Sequence, residues 1–301
     1  MRILMTTDTL SGVWAYTIQL ARALEPYNVQ IGLATMGRPL SDDQWAELAD
    51  ISNVRVYESN YRLEWMKHPE GDIRAARLWL MRIAEKFQPD VVHLNEYVYG
   101  DLDWGLPVVI TGHSCVCAWH TDVQRTTAGA EWDAARNISI LDDIAGLLRW
   151  PVQVAGEVCN PESGQPRQFS KVTLLGSSSS REMRQLFGNA AIYALPAFHD
   201  PFGLTALEAA FSGCALVLSR IDTLQEVWGD APLYASPDAP EQWLAQLRRL
   251  IEEPALRTDV ARRCVRHAQQ YTAENMAQQY LEQYGRLLAR TSAQQTMAEV
   301  Y

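Results

Sequence analysis

The chain has 301 residues, 48% hydrophobic and 21% charged, which is long enough and apolar enough for two domains of ordinary size with their own cores. Its formal charge of −10 argues against nucleic acid or an anionic membrane surface as the main partner, because nothing offsets the long-range repulsion. Five scattered cysteines do not make a disulfide framework, and no run of about 18 apolar residues offers a transmembrane segment. With no leader-like pattern at MRILMTTD, a soluble cytoplasmic protein is the expectation.

RILMTTD (2–8) reads as a buried strand, LSG as a turn, and VWAYTIQLARALEPY (13–27) as a helix with its apolar face on Val13, Tyr16, Leu20, Ala23 and Leu24. VQIGLAT (29–35) and VRVYES (54–59) are strands. A helix at 72–88 follows, and then the strand-like PDVVHLNEY (89–97) and PVVITGH (107–113). In the second half the expected strands are 150–157, 171–177, 190–196, 214–219 and 232–236. Helices lie between them, with a long helical pair from about 254 to 290 and a frayed tail, TSAQQTMAEVY. Alternating apolar strands and helices imply parallel sheets covered on both faces, so the expected architecture is α/β, two tandem doubly wound units with ligands at the carboxyl ends of the strands.

The segment HDPFGLTALEAAFSG (199–213) carries the most chemistry. The amides of Gly203, Leu204 and Thr205 sit at a helix start, where unpaired N–H groups and the dipole favour an anion such as phosphate. Glu208, a turn further in, needs donors such as ribose hydroxyls, and Asp200 can accept hydrogen bonds from a sugar. On spacing alone a plainer alternative stands beside this: Asp200 as a turn residue and Glu208 as a half-exposed helix residue.

With its flanking strands, this segment resembles the E-x7-E signature of retaining family-4 glycosyltransferases of the GT-B fold, and the likeness runs over about a hundred residues. The resemblance implies two Rossmann-like domains: 1–122 on the acceptor side, 123–275 for the nucleotide sugar, and 276–301 a C-terminal helix packing back on the first domain, then a frayed tail. It also implies transfer of a sugar from a nucleoside diphosphate donor, with retention and without a metal or other cofactor, to an acceptor that is a saccharide, a lipid or a small molecule. Glu208 would hold the ribose, Gly203, Leu204 and Thr205 the diphosphate, and Asp200 the sugar, with Asp standing where Glu is usual. TLSGVWAY (9–16) resembles the glycine-rich turn, with Gly12 retained and Ser11 in place of a first glycine. His113 resembles the histidine that faces the donor sugar. AGAEWDAARN (128–137) resembles the loop that supplies two basic groups, of which Ala130 replaces one and Arg136 holds the other. Gly156-Glu157 and Leu175-Gly176-Ser177 resemble further turns, Gly176 touching the base, and Glu226 matches another acid of the family.

Other readings are weaker. His113, Cys115, Cys117 and His120 fit no closed zinc spacing, and Asp101-Leu102-Asp103 reads as surface acid. Compared with the family, several tens of residues are lacking between about 120 and 128, including a strand–helix unit and the interdomain linker. The resulting exposed sheet edge favours a homodimer. The loss, with Ala130, also keeps open a second hypothesis: a non-catalytic relic that binds a nucleotide sugar or a partner.

Overall fold

The computed structural model describes residues 1–113, 136–156 and 169–298. Ala130, Cys115, Cys117, His120 and Glu157 lie outside the described residues. The chain divides into two units, Met1–His113 with Thr272–Tyr301, and Ser114–Tyr271.

In the first unit β1 (Arg2–Asp8), β2 (Gln30–Met36), β3 (Val54–Glu58), β4 (Val91–Leu94) and β5 (Val108–Ile110) form a parallel sheet in the order β3-β2-β1-β4-β5. Ile3 stands opposite Ile31 on one side and Val91 on the other. Ile3, Met5, Ile31, Leu33 and Val91 pack with residues of α1 (Gly12–Leu24) and α10 (Ala273–Ala298), while Leu4, Ala34, Val92 and Leu94 pack with α3 (Glu70–Phe87). Both faces are thus covered, which is why these strands are apolar without alternation. The order reverses between β1 and β4, and this switch point places the segments after those two strands side by side.

Three local expectations change. The buried stripe of α1 is Trp14, Thr17, Ile18, Leu20, Ala21 and Leu24, so its face is turned from the one the sequence suggested, and Glu25–Tyr27 form a 3-10 turn around Pro26. A helix α2 (Asp42–Ala49) is present that the apolar pattern did not announce. Ser41 and Gln44 close a reciprocal capping box at its start. The C-terminal helix continues to Ala298, past the point where fraying was expected.

In the second unit each expected strand is present and shorter at its ends: β6 (Gln153–Ala155), β7 (Thr173–Gly176), β8 (Ile192–Leu195), β9 (Ala215–Ser219) and β10 (Leu233–Ala235). They hydrogen-bond in the order β10-β9-β8, with β6 paired separately to β7, and every pair is parallel. The helices are α4 (Ile138–Ala145), α5 (Ser180–Asn189), α6 (Leu204–Phe211), α7 (Asp222–Trp228), α8 (Pro240–Glu252) and α9 (Pro254–Ala268). All of β9 is buried, and α6 contributes Ala206, Ala209 and Ala210 to the same core, small side chains that let helix and sheet approach closely. No helix among the described residues is long and apolar enough to cross a membrane.

Candidate functional site

In the second unit the chain leaves β8 and turns sharply at Asp200. Its Oδ1 accepts hydrogen bonds from the backbone N–H groups of Phe202 (3.1 Å) and Gly203 (2.6 Å), and the Thr223 hydroxyl of α7 donates to its carbonyl at 2.7 Å. Gly203 has φ +78°, and a Cβ there would lie 3.1 Å from Leu224 Cδ2 and 3.4 Å from Trp228 Nε1, so both the backbone angle and the space require glycine. α6 begins at the next residue. Of the three amides expected to cradle an anion, that of Gly203 is taken by Asp200; those of Leu204 and Thr205 have no hydrogen-bond partner among the described residues. Asp200 correspondingly closes its own turn with one oxygen, and the other has no hydrogen-bond partner among the described residues.

The half-buried Tyr193 of β8 lies beside the start of α6. Its hydroxyl lies 2.6 Å from Thr205 Oγ1. Burial raises its pKa first of all; Asp200 and Glu208 add to the rise and Arg136 opposes it, so all three charges act on one phenol at the start of α6. Arg136 is exposed, and the residue after it is anchored to the core. Asn137, 8% exposed and left-handed at φ 54°, donates its side-chain N–H groups to the carbonyls of Pro196 (3.1 Å) and Pro237 (2.8 Å). Glu208 keeps an open surface, yet crowding by protein holds its carboxyl above the usual range, with Arg184 opposing. No described residue donates a hydrogen bond to that carboxylate. Gly176 ends β7 at φ +74° and accepts a 2.9 Å bond from the Gly156 N–H, with open space where each Cβ would stand. Glu226 is exposed on α7.

In the first unit Asp8 closes the loop after β1. Its Oδ1 accepts from the N–H groups of Leu10 (2.8 Å) and Ser11 (2.7 Å), and its Oδ2 accepts from the Ser11 hydroxyl at 2.6 Å. Ser11, in the place of a first glycine, caps α1 by accepting from the Val13 N–H, and Gly12 is the first residue of the helix. His113 lies 2.7 Å through Nε2 from Asn95 Oδ1 and meets Tyr16 edge-on with ring centroids 4.7 Å apart. Burial pushes its pKa down to about 4 although Asp8 pulls it up, so the ring is neutral at pH 7.

Beneath it runs a buried polar chain. His93 bonds Tyr284 and Thr111, each at 2.7 Å; Thr111 meets Tyr280 at 2.8 Å; and Tyr16 donates to Tyr280 at 2.6 Å. Burial, with the nearby His113, pushes His93 down to about 3. Glu96, 8% exposed, is raised to about 8 by burial and by the charges of Asp8 and Glu64, and its Oε2 has no partner among the described residues. Asp101 pairs with Arg77 at 2.8 Å on the surface.

Sequence reasoning did not find Tyr193, Asn95 or the role of Asn137. Asn137 stood beside Arg136 in the quoted loop pattern, whereas Tyr193 and Asn95 sit in ordinary strand segments and acquire partners only through the fold. Among the described residues no group of three His, Cys, Asp or Glu side chains is set to hold a metal ion.

Residues 10–139 match the model of Glycosyltransferase Family 4, and residues 168–270 match that of Glycosyl transferases group 1. The O-antigen chain mannosyltransferase B of Escherichia coli is 29% identical over 113 residues, which is 38% of this chain and 30% of that protein. The matches span less than a third of the length of such curated relatives. Among solved structures, sucrose-phosphate synthase of Thermosynechococcus elongatus superposes with a TM-score of 0.73 at 13% identity, covering 94% of this chain and 99% of that one. Anabaena HepE in complex with UDP and glucose gives 0.59 at 14% identity, covering 95% and 100%. Two family models matched in chain order, one on each half, together with the doubly wound parallel architecture, identify the chain: it belongs to the family-4 glycosyltransferases of the GT-B fold.

Proposed function

We propose that the protein transfers a sugar from a nucleoside diphosphate sugar to an acceptor, with retention of configuration and without a metal ion, in the cytoplasm. The observation that carries this reading is the start of α6, where the Asp200 turn, left-handed Gly203 and the Leu204 and Thr205 amides without partners among the described residues follow one another, with Glu208 one turn further along. A leaving diphosphate there meets the Leu204 and Thr205 amides, the positive end of the helix and the Arg136 guanidinium, all of which act most strongly when negative charge develops. Glu208, with no donor of its own, is suited to accept from ribose hydroxyls, and the second oxygen of Asp200 from a sugar hydroxyl. Gly176 offers bare backbone to a base. The two carboxylates serve binding, so the paired acid and nucleophile of glycosidases is not invoked. In the first unit Gly12 opens α1 without a side chain, and neutral His113 offers Nδ1 to a hydroxyl of sugar or acceptor.

Retention and metal independence rest on the family resemblance, and UDP becomes the first nucleotide to try from the complex of the Anabaena relative. The acceptor class stays open among saccharide, lipid and small molecule. A homodimer is expected from the sheet edge, and a monomer by light scattering at high concentration would count against it.

The test is release of free sugar and nucleotide from UDP-, GDP-, ADP- and dTDP-sugars by the purified chain, since transferases leak to water. Hydrolysis of one donor supports the reading. Nucleotide binding without hydrolysis of any donor favours instead the non-catalytic relic, the reading that goes with Ala130 in place of a basic residue.

A further inference from the structure

We propose that Asn95 fixes which nitrogen of His113 is presented to ligand, a positioning role that rests on the reading of His113 given above. Asn95 follows β4 at the switch point of the first sheet and is 6% exposed. Its backbone N–H donates to Thr6 Oγ1 at 2.9 Å, and its side-chain Nδ2 donates to the Thr6 carbonyl at 2.6 Å and toward Thr17 Oγ1 at 3.4 Å. Reversing the amide would set two oxygens against each other at that 2.6 Å separation, so the carbonyl of Thr6 dictates the orientation.

Oδ1 therefore faces the other way, 2.7 Å from His113 Nε2. An amide oxygen carries no proton to give, so Nε2 is the protonated nitrogen and donates. In the neutral ring Nδ1 is then the bare lone pair, with no partner among the described residues. That lone pair can orient a hydroxyl or take its proton; the opposite tautomer could only donate to it. The other polar groups around the ring are Asp8 after β1, Tyr16 of α1 with Tyr280 of α10 behind it, and His93 of β4. None of them is hydrogen-bonded to the ring, which leaves Asn95 as its one anchor among the described residues.

The experiment is nitrogen NMR of the full chain labelled with 15N-histidine, the His113 signals being assigned by their loss in His113→Gln. Expected is a neutral ring at pH 7 with hydrogen on Nε2; hydrogen on Nδ1, or an imidazolium at pH 7, overturns the proposal. In Asn95→Asp a carboxylate faces the Nε2 hydrogen and favours the charged ring, so the His113 titration midpoint rises by about one unit or more. The acid limb of kcat for sugar release moves up with it, because the lone pair is lost at higher pH. An unmoved midpoint overturns the proposal. Asn95→Leu is expected to lower kcat roughly 10- to 100-fold with the donor KM unchanged. A KM effect alone would assign Asn95 a merely structural part and overturn the positioning role. Unchanged sugar release in His113→Gln would instead remove the role of His113 itself, a failure visible apart from the NMR result.

Discussion

Polar groups are set out differently at two places, the carboxyl edge of the first sheet and the start of α6. At the carboxyl edge of the first sheet, hydroxyls, amide and imidazoles bond to one another: Tyr16, Tyr280, Thr111, His93 and Tyr284 form one chain, and Thr6, Asn95 and His113 another. At the start of α6 in the second unit, the Leu204 and Thr205 amides and the Glu208 carboxylate have no hydrogen-bond partner among the described residues. Burying polar groups is tolerable chiefly when they are satisfied, so the two chains of the sheet edge support one another and hold His113 in place, while Glu96 Oε2 beside them has no partner among the described residues. The start of α6 leaves its groups to solvent or, on the function proposed above, to a ligand that brings an anion and hydroxyls. On that proposal the first edge positions a group and the second binds one.

The largest blow to this contrast comes at Gly203. Gly203→Val forces a branched side chain into a left-handed residue 3.1 Å from Leu224, and should cost the second unit about 3 kcal/mol or more, measured as a lowered melting midpoint. Nucleotide binding should disappear with it, while the His113 signals of the first unit stay unchanged.

Smaller are the effects of pH expected in the first unit. Glu96 has its folded pKa raised to about 8 against an unfolded value near 4.3, so its contribution is present below about pH 4 and is lost as pH rises through 8. Glu96→Gln removes that loss and should stabilise the first unit by about 2 kcal/mol at pH 9 and by little at pH 5. Equal melting midpoints of variant and wild type at pH 9 would show that the carboxyl is not confined as described. His93 and His113 run the other way. Their folded values, about 3 and about 4, lie below the unfolded value near 6.5, so their contribution is present above about pH 6.5 and is lost as pH falls toward 4 and 3. Melting followed by the tyrosine signal should therefore weaken below pH 6. Least of all, Tyr280→Phe deletes the hydroxyl joining Tyr16 to Thr111 and should cost about 1 kcal/mol.

How much of this could be read from the residues differs between the same two regions. The binding edge lies within one short segment: Asp200, Gly203, Thr205 and Glu208 are local, and a turn followed by a helix start announces itself in sequence. What could not be read is that Asp200 takes the Gly203 amide for its own turn. The choice between a turn role and a ligand role stayed open on spacing, and the structure gives one oxygen to the turn. The positioning edge was almost invisible. His93 meets Tyr284 across 191 residues of chain, and Asn95 meets Thr6 across 89. No local pattern encodes such partners. The helix Asp42–Ala49 is a different case, because Ser41 and Gln44 spell a capping signal that hydrophobic periodicity alone passes over. The buried face of α1 was misplaced because Thr17, a polar residue, belongs to it and bonds Thr7 at 3.1 Å.

The most direct test of the account is calorimetric titration of UDP, GDP, ADP and dTDP into the wild-type chain and into Glu208→Ala, with the melting midpoint of each protein recorded. The expected result is binding of one nucleotide by the wild type and a 10- to 100-fold weaker affinity in the variant, about 1.4 to 2.7 kcal/mol, at unchanged midpoint. Absence of binding by every nucleotide, or equal affinity in the two proteins, would contradict the assignment of the α6 edge as the nucleotide site.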